Sequence, residues 1–132
     1  MWLWSIAASG TGILALVVFR HLARRRAFGG RPLLPLAEIQ ASMCPDLSPE
    51  TVHDVWTRLG AFYSLDPRLI RPTDPLRLFN DVDSWMLWRG TEALEAWLSS
   101  LELDPPARRP ETVYELAAWL DDARQHRRPV GD

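Results

Sequence analysis

FNDVDSWMLWRGTEALEAWL, residues 79–98, sets two aspartates and a serine ahead of a run in which Leu87, Thr91, Leu94 and Leu98 recur at helical spacing. Asp81, Asp83 and Ser84 are all residue types that close the free amides at a helix N-terminus. The pattern predicts a helix from close to Ser84 to about Leu101, with Leu87, Thr91, Leu94, Leu98 and Leu101 as its buried stripe. Gly90 weakens it by about 1 kcal/mol relative to alanine, unless another helix needs the close approach. Asp104-Pro105-Pro106 ends it.

On the N-terminal side, Ser48-Pro49 pairs an N-cap serine with a proline at the first helical position. Val52, Val55, Trp56, Leu59 and Tyr63 then form an apolar stripe, and Asp66-Pro67 closes that helix. Pro67, Pro72 and Pro75 break the stretch between the two helices into a loop. On the C-terminal side, Thr112-Val113-Tyr114-Glu115 is a capping box, and Val113, Leu116, Ala117 and Leu120 give the last helix its apolar face. Residues 105–110 read as a short turn with helical character. Trp56 and Trp119 are expected in the core. Trp85, Trp88 and Trp97 cannot share one stripe, so at least one should be exposed. The doublet Asp121-Asp122 reads as solvated. No alternating strand pattern of useful length occurs. The expectation is a small all-α bundle over residues 48–124, three main helices plus a short one, with a frayed tail at 125–132.

The chain begins differently. Trp2 to Phe19 contains no charge, and as a helix it is about 27 Å long, close to the ~30 Å hydrocarbon core of a bilayer. Trp2 and Trp4 mark one end, where indoles favour the interface. Arg20, Arg24, Arg25 and Arg26 mark the other and are expected to stay on the cytoplasmic side. A cleaved signal peptide carries its charges before the apolar run, and here they follow it. Residues 1–26 therefore read as a single-pass anchor in the cell inner (cytoplasmic) membrane, contacting lipid through residues 2–19. Residues 27–47, with Gly29-Gly30, Pro32 and Pro35, read as a juxtamembrane linker in which Leu36 to Met43 makes two helical turns, packed on the domain or lying against the membrane surface. The soluble domain faces the cytoplasm.

The net charge of −2 divides into +5 for residues 1–31 and −7 for residues 32–132. An acidic domain argues against nucleic acid as a partner and suits basic protein surfaces. The absence of lysine removes a P-loop lysine, a Schiff-base lysine and a lysine general base together. Cys44 is the sole cysteine, so no intramolecular disulfide or thiolate cluster can form, and His21, His53 and His126 lack ligand spacing. No metal site and no catalytic set of carboxylates, Ser/His/Asp or Cys/His stands out. The chain does not read as an enzyme.

In order, Leu65-Asp66-Pro67, Ile70-Arg71-Pro72-Thr73-Asp74, Asp83-Ser84 and Thr112-Val113-Tyr114-Glu115-Leu116 resemble the acyl carrier protein family and its peptidyl carrier relatives. That family has a similar Pro-containing loop, then D-S-L, then a T-V-x-x-L start to its last helix. The resemblance covers roughly residues 49–122 and rests on order and spacing: 19 residues from Leu65 to Ser84 and 29 from Ser84 to Val113. It implies an acyl-carrier-like bundle in which Ser84 carries a 4′-phosphopantetheine arm, with Asp83 as its acidic neighbour. A phosphodiester at a helix N-terminus is stabilised by free amides and the positive end of the dipole. The arm implies a phosphopantetheinyl transferase and acyl- or aminoacyl-handling enzymes as partners, meeting a surface of Trp85, Trp88, Arg89, Glu92 and Glu95. Asp81 and Val82 depart from the family's glycine and small apolar residue, and Trp85 from its leucine or methionine. The alternative is an unmodified, membrane-tethered helical interaction module in which Ser84 only caps a helix.

Overall fold

The centre of the fold is α3 (Pro49–Tyr63), against which the helical elements from residue 36 onward pack. In the computed structural model, which describes residues 2–83 and 89–127 (the side chains of residues 2–10, 20, 23 and 24 excepted), all regular structure is helical. The order is α1 (Trp2–Phe28), α2 (Leu36–Met43), α3, a 3-10 turn (Pro67–Leu69), α4 (Leu76–Asp83), α5 (Arg89–Ser100) and α6 (Val113–Arg127). Among the described residues the only strand-like feature is a bridge between Pro75 and Thr112, flanked by Leu76 N–H to the Glu111 carbonyl at 2.8 Å. It ties the start of α4 to the start of α6.

The signals at the ends of α3 and α6 act as expected. The Ser48 hydroxyl accepts the Thr51 N–H, and Pro49 occupies the first turn, where its missing N–H costs nothing. Val52, Val55, Trp56, Leu59 and Tyr63 are all buried. Thr112 accepts the Glu115 N–H at 3.1 Å, while the Glu115 carboxylate reaches back to the Glu111 N–H at 2.8 Å. Val113, Leu116, Ala117 and Leu120 close the core from that side. Tertiary contacts fix the rest: Trp56 donates to the Ile70 carbonyl at 3.0 Å, pinning the loop after α3.

Three expectations need correction. The loop before Ser84 contains α4, because Phe79 and Val82 sit three residues apart on a buried face started by Pro75. The start expected for the next helix, close to Ser84, lies outside the described residues, and the helix runs over Arg89–Ser100 within them. Residues 105–110 are irregular, being three prolines and two arginines in six positions. Asp121 is buried, 5 % exposed, and ties α6 to α3. It accepts from the Ser48 hydroxyl at 2.7 Å, the Thr51 hydroxyl at 2.8 Å and the Ser48 N–H at 3.2 Å. Burial pushes its carboxyl up, but those bonds and the Arg124 charge outweigh this and hold it below the usual carboxylate range. Asp122 is exposed, as expected of the doublet.

Of the two places open to the segment 27–47, the structure shows it packed on the domain. Phe28, Ile39, Cys44 and Leu47 lie inside the same core as α3 and α6, so the folded unit begins at the end of α1. Upstream, α1 is one unbroken helix of 27 residues whose Ile13, Leu14 and Val17 are 67, 64 and 56 % exposed, with no protein covering them. Among the described residues no helix is long and apolar enough to cross a membrane. The uncharged run Trp2–Phe19 extends into residues 2–10, whose side chains fall outside that description.

Candidate functional site

The junction of α4 and α5 is organised by one carboxylate. Asp83, the last residue of α4, is 0 % exposed; its Oδ1 accepts the Gly90 N–H at 2.8 Å and its Oδ2 the Thr91 N–H at 2.9 Å. These amides belong to the first turn of α5, so Asp83 closes two donors that the helix itself leaves open and sets a negative charge on its positive end. The close fit depends on Gly90. A Cβ there would meet the Tyr63 ring at 2.6 Å and Asp83 Oδ1 at 2.8 Å. The close approach of another helix, α3, thus accounts for a glycine inside α5.

Around this cap lies a small polar network. The Thr91 hydroxyl donates to Asn80 Oδ1 at 2.9 Å and lies 3.3 Å from the Tyr63 hydroxyl. Tyr63 packs its ring on Phe79 with centroids 5.2 Å apart, and burial pushes its phenol above the usual value. Next to the network a cleft of about 980 Å³ opens between α4, α5, the loop 105–112 and α6. Leu76, Leu94, Leu98, Leu116 and Trp119 form its apolar walls; Asn80 and Thr91 give it a polar end, and Arg77, Arg109, Glu95 and Glu111 stand around it. Leu94 and Leu98, expected as a fully buried stripe, are half-buried because they face this cleft. Trp119 is half-buried for the same reason.

The site residues expected from sequence are dispersed by these facts. Ser84, Trp85 and Trp88 lie outside the described residues, as do the side chains of Trp2, Trp4, Arg20 and Arg24. Arg89, Glu92 and Glu95 are exposed on α5, and Arg25 and Arg26 are exposed at the end of α1. Asp83 points inward with both oxygens engaged, so its charge is spent on α5 rather than offered to another protein. Of the tryptophans, Trp56 is fully buried. Trp97 is 8 % exposed beneath the Arg58 guanidinium, which lies 4.8 Å over its ring and is held there by Asp54. Sequence reading missed the cleft. Its one available signal was the run of prolines at 105, 106 and 110, which keeps the loop from folding over α5.

Among the described residues no three His, Cys, Asp or Glu side chains gather as a metal site. Cys44 is buried, and burial with the nearby Asp46 raises its thiol pKa, so it is a poor nucleophile. Comparison with family models, curated proteins and solved structures gave no match to this chain.

Proposed function

We propose that the chain is a membrane-anchored carrier-like domain of the inner membrane. Ser84 bears a 4′-phosphopantetheine arm that presents an acyl or aminoacyl thioester to membrane-associated enzymes. The chain itself catalyses no reaction. It is modified by a separate phosphopantetheinyl transferase and held in the bilayer through residues 2–19, with Arg20, Arg24, Arg25 and Arg26 on the cytoplasmic face.

The observation that carries this reading is the cleft at the α4–α5 junction. Thr91 lines it and also donates its N–H to Asp83, the residue covalently next to Ser84. In this reading the arm would start from the neighbour of a residue bonded to the polar rim of a recess of about 980 Å³, the size of small-molecule pockets. Leucines and a tryptophan around a cargo exclude water, which would protect a thioester from hydrolysis.

The interaction module is favoured by one fact, the inward carboxylate of Asp83, which withdraws the acidic neighbour that the carrier reading expects beside Ser84. In that reading the cleft takes a partner's apolar side chains. Incubating the full chain in detergent with coenzyme A and a promiscuous transferase separates the two. One added phosphopantetheine, absent in Ser84→Ala, supports the carrier. An unchanged mass beside a modified control carrier supports the module.

A further inference from the structure

A flexible linker of the length of residues 27–47 spans roughly 25 Å r.m.s. and samples a wide range of distances. The chain is built otherwise at this place. Phe28, the last residue of α1, is 2 % exposed and tilts its ring onto Phe79 of α4 with centroids 5.4 Å apart. Three residues later Arg31 donates to Asp74 Oδ2 at 2.7 Å and to the Leu69 carbonyl at 3.1 Å, and its guanidinium lies 5.3 Å over the Phe28 ring. Asp74 is only 4 % exposed and also accepts the Arg71 N–H at 2.8 Å. The Leu34 N–H binds the Arg68 carbonyl at 3.2 Å, and the Arg71 guanidinium binds the Pro32 carbonyl. Few torsions between residues 28 and 34 are left free to swing.

We infer that residues Phe28–Leu34 are a rigid bracket holding the α4–α5 junction at one short, fixed height over the bilayer, so that the partner served there works at the lipid interface. The inference rests on the membrane anchor proposed above and not on the modification of Ser84. Its geometry follows the helices. Phe28 lies nine positions after Phe19, the end of the uncharged run, about 14 Å of helix. Asp83 lies one turn beyond Phe79 along α4, about 6 Å further. The junction thus stands within roughly 30 Å of the hydrocarbon edge. The contact continues through Phe79 and Tyr63 to Thr91, so α5 moves with α1 as well. A fixed height gives up reach and concentrates the junction where a membrane partner sits.

Two spin labels measure this directly. His21→Cys on α1 and Glu92→Cys on α5 are exposed positions, and buried Cys44 is spared by thiol reagents. The doubly labelled full chain is reconstituted in vesicles of phosphatidylcholine and phosphatidylglycerol, and its interspin distances are recorded. The expected result is one narrow peak, broadened several-fold by Phe28→Ala or Arg31→Ala. The milder Asp74→Asn should broaden it too, with a melting transition retained in each variant. A broad distribution in the unsubstituted bracket, with the chain floating with vesicles, overturns the inference and leaves the anchor standing. A chain that does not float with vesicles overturns the fixed height and the anchor together, whatever the state of Ser84.

Discussion

Removing the Asp83 carboxylate tests the organisation of the α4–α5 junction. In Asp83→Ala the Gly90 and Thr91 amides lose acceptors at 2.8 and 2.9 Å within a site that is 0 % exposed at Asp83. Loss of an N-cap costs about 0.5–2 kcal/mol, and buried donors left without partners cost about 1–3 kcal/mol. The contributions overlap, so a net loss of about 2–4 kcal/mol is expected. For a folded unit of this size that lowers Tm by roughly 10–25 °C. Asp83→Asn keeps one acceptor oxygen and should lose about half as much. Ser84→Ala should stay within about 0.5 kcal/mol, because the carrier reading gives its hydroxyl to the arm and not to a helix cap. Thermal and urea unfolding of the full chain in detergent, followed by far-ultraviolet circular dichroism, gives all three values. The reasoning is refuted if Asp83→Ala melts like the parent while Ser84→Ala loses more than 1 kcal/mol, on the scale of a lost cap. Ser84 would then be the helix cap and the module reading would gain.

Gly90→Ala gains about 1 kcal/mol of helix propensity but drives a Cβ to 2.6 Å from the Tyr63 ring, itself held on Phe79. Overpacking of this kind costs about 1–3 kcal/mol, so a lowered or at best unchanged Tm is expected, and a clear rise would show that the helices part easily. Asp121 has a folded pKa below its unfolded value, so its stabilisation is complete above the unfolded carboxylate range. That contribution disappears as pH falls through the lowered folded pKa. Acid titration of Asp121→Asn should accordingly show a smaller loss of stability below about pH 4 than the parent, and an identical slope would remove Asp121 from the acid transition. Trp56→Phe deletes the buried donor to the Ile70 carbonyl and leaves a void, for an expected loss of about 1–3 kcal/mol in urea unfolding; a value near zero would mean the 70s loop is held elsewhere.

Local signals proved readable wherever the chemistry was complete within a few residues. Ser48-Pro49 and Thr112 to Glu115 carry their own caps, and the stripes of α3 and α6 lie wholly against one core. α4 was hidden because its eight residues include Asn80, Asp81 and Asp83, polar types that read as loop or cap, and only Phe79 and Val82 mark its buried face. The same aspartate shows the limit of spacing arguments. Asp83 and Ser84 are both good caps by type, and spacing alone does not show that Asp83 accepts the Gly90 and Thr91 amides. Asp121 and Asp74 were equally opaque, since their partners lie 73 and 43 residues away in sequence. Glycines and prolines separate the apolar residues of the linker, so spacing left its packing open, and Phe28, Ile39 and Leu47 each find the core across that spacing.

The most direct test is the intact mass of the full chain taken from the membranes of cells that make it. A mass one phosphopantetheine above that of the sequence is expected, with the addition mapped to the peptide holding Ser84. A chain at its sequence mass, in cells whose own carrier proteins are fully modified, would contradict the carrier reading and leave the cleft to a protein partner.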